Sequence, residues 1–242
     1  LADKYGIDPC PSGSDWQYNG IFSDPVSWLK GHLIDFIAPQ VYWKIGFKRA
    51  DFSLVAPWWC KTARKFSRQA FVSMCIDKLM TTSEFPEWAA EMEILRRNCA
   101  KDQGGTIFWS VRNLYNKPGL SEQLCHCLRR TVYQYPSLMP LTPWRNNVAR
   151  KAPVVNFLKQ EGNKLTWQLI PRCRYTVYAF PKTVDKAQFG TEVKYLLGMV
   201  YNPDRGGEMV TYTIPAHLRA AYQFAVCPLD RYGNEYAPSF TE

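Results

Sequence analysis

The run Ile34-Asp35-Phe36-Ile37-Ala38-Pro39-Gln40-Val41-Tyr42-Trp43 constrains the fold more than any other stretch. It starts apolar, as a strand covered on both faces must. It ends in Gln40, Tyr42 and Trp43, whose side chains hydrogen-bond and stack. In α/β folds the C-terminal ends of parallel strands are where ligands bind. Such a strand predicts an α/β barrel with a site at its mouth, and its aromatic groups suit a flat, hydroxyl-bearing ligand such as a sugar.

Strand-like and helix-like segments alternate through the first half. Ser23-Asp24-Pro25 is helix-start chemistry, a side-chain cap followed by proline. Ala50-Asp51 opens a helix with Leu54 and Trp58, and also Val55 and Trp59, at helical spacing. Pro57 predicts a kink or a later start there. Residues 69–76 read as a second strand ending at Asp77-Lys78. From 84 to about 99 a helix is expected with Trp88, Met92 and Leu95 inside and Glu91 and Glu93 outside. Gly104-Gly105 breaks the pattern, 106–111 read as a third strand, and a helix from Ser121 carries Leu124, Leu128 and Val132. Strands separated by helices of this length are βα units on a parallel sheet.

Past a linker punctuated by Pro136, Pro140 and Pro143, the period changes. Short alternating segments at 164–169, 174–180, 194–200, 209–214 and 222–227 predict a β-sandwich. The expected division is therefore 1–138 and 139–242.

The formal net charge is +9, but Lys and Arg are spread through both halves. Their densest cluster, residues 61–68, reads as the solvated end of a helix, so no nucleic-acid partner is expected. No stretch is apolar over the roughly 18 residues of a transmembrane segment. No signal pattern opens the chain, and its first residue, Leu1, fits a processed form or an excised domain. The eight cysteines form no CxxC pair, and their even number leaves the disulfide state open. Cys125-His126-Cys127 would point to different sides of a helix. With no HExxH, no phosphate-binding glycine loop and no Ser-His-Asp arrangement, neither a metal nor a cofactor is expected.

Several stretches carry a family likeness: Asp15-Trp16-Gln17-Tyr18-Asn19-Gly20, Trp28-Leu29-Lys30 leading into 34–43, Asp51 with Trp58-Trp59, and the run 104–110. They resemble the glycosyl hydrolase-like family ten of bacterial envelope proteins and, more distantly, glycoside hydrolase family 18. The resemblance implies the C-terminal βα units of an incomplete (β/α)8 TIM-type barrel, its sixth, seventh and eighth strands. In those families the hydrolytic acidic cluster ends the fourth strand, which has no counterpart here. A whole barrel takes about 200 residues or more. The second half resembles a fibronectin type III domain through Leu165-Thr166-Trp167, Tyr175-Thr176-Val177-Tyr178 and the run 221–235.

Alternate residues of a barrel strand face inward. Gln40 and Tyr42 then share a face with Phe36 and Ala38, while Trp43 turns toward the helices or the loop. Gln40 and Tyr42 can each donate to and accept from a sugar hydroxyl, or be satisfied within a core. Trp109 is either the apolar floor under a pyranose ring or a core indole. Asp77 either meets a hydroxyl, as acid or base if burial raises its pKa, or caps its loop or pairs with Lys78. Trp16 and Tyr18 form a distal stacking platform or anchor their loop. Arg112 and Asn113 follow Trp109 as further candidates.

Catalytic residues stay unassigned. The function expected is the C-terminal part of a glycoside hydrolase acting on a polysaccharide or oligosaccharide, silent by itself. The other reading is a non-catalytic glycan-binding or structural module. By resemblance the protein is secreted, periplasmic or attached to the cell envelope. Three parallel strands leave edges and an apolar face unpaired. A homodimer, the missing N-terminal barrel half or rearranged helices are expected to cover them.

Overall fold

Capped helices and parallel strands build the first of two units, Leu1–Gln134, and antiparallel strands the second, Tyr135–Glu242. The computed structural model describes residues 2–12, 16–78, 81–99, 104–145, 152–201 and 207–241. In the first unit the short helices α1 (Ala2–Tyr5) and α2 (Trp16–Asn19) precede α3 (Pro25–Lys30). Asp24 Oδ1 accepts the Ser27 N–H at 3.1 Å and Pro25 occupies the first turn, so α3 begins where its capping chemistry dictates. Next come β1 (Phe36–Ile37), α4 (Phe52–Lys65) and β2 (Gln69–Cys75). The unit ends with α5 (Phe85–Asn98), β3 (Gly104–Trp109) and α6 (Leu120–Arg130).

The three strands form an open parallel sheet in the order β1-β2-β3. Ala70, Val72 and Met74 of β2 are buried in one core with Phe52, Val55 and Trp59 of α4 and Trp88 and Leu95 of α5. A disulfide joins Cys60 of α4 to Cys99, just beyond α5. Among the described residues no helix is long and apolar enough to cross a membrane.

Four expectations are corrected. The strand expected over 34–43 is pared to Phe36–Ile37 plus a bridge from Gln40 to Ser73, and it is an edge strand, with Phe36 49% exposed. Pro39 has no N–H for the ladder. Pairing resumes around it, through Ser73 N–H to Pro39 O (2.8 Å) and Val41 N–H to Ser73 O (3.0 Å). Second, α4 runs through Pro57, and Leu54 lies off its buried stripe of Phe52, Val55, Ala56, Trp59 and Ala63. Third, Arg68 is not a solvated charge: it is buried, and its Nε donates to Ile34 O at 2.9 Å. That bond ties the turn after α4 to the segment entering β1. Fourth, Glu91 is buried, because it shares the inner stripe of α5 with Trp88 and Leu95, three residues before and four after.

The second unit has two antiparallel sheets. One orders β4 (Lys159–Glu161), β5 (Lys164–Gln168) and β8 (Met209–Thr213) as β4-β5-β8. The other is made of β6 (Arg174–Pro181), β7 (Leu196–Val200), β9 (Tyr222–Leu229) and β10 (Ser239–Phe240), ordered β10-β9-β6-β7. Leu165 and Trp167 of the first sheet and Tyr175, Val177, Phe224 and Val226 of the second share one core. Trp167 meets Tyr175 edge-on, with ring centroids 5.2 Å apart.

Gly104 fixes where β3 meets β2. Its φ is +150°, and a Cβ there would lie 1.8 Å from the Ala70 carbonyl oxygen. Gly104→Ala should therefore lower unfolding stability by more than about 2 kcal/mol in urea titrations. Gly46→Ala, at φ +81° with nothing within 4 Å of its Cβ, should cost about 1 kcal/mol. Equal losses would contradict the contact.

Candidate functional site

Parallel register decides which side chains meet at the strand ends. Gln40 pairs with Ser73, Ser73 with Ile107, and Cys75 with Trp109. Because Ala70, Val72 and Met74 face the helices, Phe71, Ser73, Cys75 and their partners occupy the opposite face. That face is open, with Ile107 and Trp109 38% and 55% exposed. Phe36 and Phe71 pack edge-on there at 5.2 Å between centroids.

At its C-terminal end this face gathers Gln40, Tyr42 and Trp109. Gln40 is exposed, and the half-buried Tyr42 places its hydroxyl 3.3 Å from Ser73 Oγ. Together they present an amide, a phenol and an indole on one surface. Asp77 lies in a short turn, Ile76–Lys78, directly after β2. Its carboxylate accepts a hydrogen bond from Asn113 Nδ2. Ser121 Oγ in turn donates to Asn113 O at 2.8 Å, so Asp77 anchors the loop after β3 and the start of α6. Lys78 does not pair with it: its Nζ donates to Tyr42 O at 2.6 Å. Tyr18 is exposed on α2, and no hydrogen bond among the described residues joins it to the strand ends. Asp15 and the side chain of Trp16 lie outside the described residues.

Tyr42 and Trp43 also line a small cavity together with Cys75, Lys78, Glu87 and Glu91. Glu87 Oε1 accepts the Ile45 N–H at 2.7 Å, tying α5 to the segment after β1. Glu91 is only 6% exposed. Burial, and then the Glu87 charge one turn away, push its carboxyl up to about 8, against the opposing pull of Lys44. At neutral pH it is mostly protonated. The sequence reading missed this residue, although its spacing from Trp88 and Leu95 is the signal that places it inward. Among the described residues no group of three His, Cys, Asp or Glu could hold a metal ion.

Residues 4–89 match the family described as Glycosyl hydrolase-like 10. Glycosyl hydrolase YngK of Bacillus subtilis strain 168 is 27% identical over 179 residues, which cover 66% of this chain and 34% of that protein. Glycosyl hydrolase DigH of Escherichia coli K12 is 28% identical over 99 residues, covering 35% of this chain and 23% of that protein. The chain thus spans about a third or less of the length of these curated relatives. Among solved structures, a double mutant of the Cellulomonas fimi endo-beta-1,4-mannanase aligns over 86% of this chain and 48% of its own. The identity over that alignment is 8% and the TM-score 0.30.

The Glu91 carboxyl makes stability depend on pH with a definite sign. In the unfolded chain it ionises near the ordinary 4.5, and in the folded chain near 8. Between those values the unfolded state holds fewer protons, so stability falls as pH rises, by up to about 1.4 kcal/mol per pH unit, and levels off above the folded value. Glu91→Gln should flatten this slope in urea titrations run across the same window. A slope equal to that of the wild type would contradict the buried carboxyl.

Proposed function

We propose that residues 1–138 are the last three βα units of a glycoside hydrolase barrel and that their strand ends hold a saccharide. The observation that carries this reading is the placement of Gln40, Tyr42 and Trp109 on one open face at the C-terminal end of three parallel strands in a glycosyl hydrolase-like segment. An exposed indole suits the flat C–H face of a pyranose, and the amide and phenol suit its hydroxyls. The open sheet face is the one a complete barrel would enclose. Its cover in this reading is the rest of the barrel, and the one-third share of YngK spanned by the chain supports that.

Hydrolysis needs, in most glycosidases, two carboxyl groups flanking the scissile bond. Asp77 is the sequence-expected carboxylate at these strand ends, and it is held by Asn113. In this reading the cleaving acids lie on strands outside this chain, and the chain by itself binds without cleaving. The same observation favours the second reading, a glycan-binding or structural module. The order and core of the two antiparallel sheets support a fibronectin type III-like second unit at 139–242. The disulfide between Cys60 and Cys99 supports a secreted, periplasmic or envelope location.

Titration of the 242-residue chain with cellotetraose, chitotetraose and mannotetraose, followed by tryptophan fluorescence, tests the reading. At least one should bind, and Trp109→Ala should weaken it about tenfold. Reducing-sugar assays on the same chain should show no turnover. Binding unaffected by Trp109→Ala would contradict the strand-end site, and turnover would contradict the assignment of the acids.

A further inference from the structure

The cavity beside Tyr42 has its own chemistry. Its volume is about 30 Å³, room for one or two water-sized groups and too little for a sugar ring. Glu84, Glu87, Lys44 and Lys78 all line it. A cation there would sit against two ammonium groups and an anion against carboxylates, so neither ion is favoured. These charges are also engaged with protein groups. Glu87 accepts from Ile45 N–H, and Glu84 from Thr81 N–H (3.1 Å) and Lys44 Nζ (3.3 Å), while Lys78 donates to Tyr42 O.

Glu91 differs from all of them. It is 6% exposed, it lines the cavity, and no described group hydrogen-bonds it. The cavity is where a partner can reach its carboxyl. A neutral carboxyl presents one O–H donor and one carbonyl acceptor, the complement of a hydroxyl, which also does both. Tyr42 belongs both to this cavity and to the open strand face, so the cavity adjoins the strand ends.

We propose that this cavity is a subsite for a single hydroxyl or hydroxymethyl group of a saccharide lying across the strand ends, with Glu91 as its hydrogen-bonding partner and Tyr42 and Trp43 as its rim. The subsite rests on the saccharide reading above. Cellotetraose, chitotetraose and mannotetraose are titrated into wild type, Glu91→Leu, Glu91→Gln and Trp109→Ala, with thermal melts to verify folding. The best of the three should bind Glu91→Leu about tenfold more weakly. Glu91→Gln, which keeps a donor and an acceptor, should stay within about twofold of wild type. In wild-type chain labelled with 13C at glutamate carboxyls, saturating saccharide should move the Glu91 resonance, a readout that does not depend on any variant folding.

Full affinity in Glu91→Leu beside a weakened Trp109→Ala, or a Glu91 resonance that stays put, would overturn the subsite and leave the strand-end reading standing. Equal losses in Glu91→Leu and Glu91→Gln would overturn the hydroxyl assignment. Failure of all three saccharides to bind wild type would overturn both.

Discussion

Strand β2 hydrogen-bonds a parallel neighbour along each edge, and the rest of the first unit depends on that register. Its pairing sends Ala70, Val72 and Met74 into the helical core and leaves Phe71, Ser73 and Cys75 on the other face. Gln40, Ile107 and Trp109 follow by register to that second face. A slip of one residue would exchange the two faces. It would bury the indole among helices and expose Met74 and Val72. Gly104 guards against this, because only a residue without Cβ can lie against the Ala70 carbonyl at that point.

Much of this organisation is legible in the sequence, for physical reasons that differ by element. α3 is readable because its start is local chemistry: an aspartate accepting from a nearby N–H, then proline. β2 and β5 are readable because burial writes an apolar pattern into them. β1 is harder. Its composition suits a covered strand, but cover comes from distant chain, and nothing local shows which face stays open. β4, Lys159-Gln160-Glu161, has no apolar pattern at all, since its three residues are exposed and held by backbone pairing to β5.

The candidate site shows the same split. Gln40, Tyr42 and Trp109 stand out as polar and aromatic groups at strand ends; register aligns Gln40 and Trp109, and the contact with the Ser73 hydroxyl brings Tyr42 to the same face. Glu91 is hidden by the assumption that a helical glutamate faces water, although its spacing from Trp88 and Leu95 says otherwise. Asp77 reads as a free acid at a strand mouth, and only tertiary structure reveals Asn113 against it. A partner from a loop 36 residues onward leaves no local trace. The Glu91 carboxyl is largely buried and its pKa is raised by that burial, and groups perturbed in this way concentrate at functional sites.

The central claim is that the strand ends of the first unit, and not another surface, meet the saccharide. Backbone and indole chemical shifts of the 242-residue chain, followed during titration with cellotetraose, chitotetraose and mannotetraose, map that surface directly. The result expected is that the Trp109 indole and the amides around Gln40–Trp43 and Ser110–Asn113 move most. Movements confined to residues of the second unit, with the Trp109 indole unchanged at saturation, would contradict it.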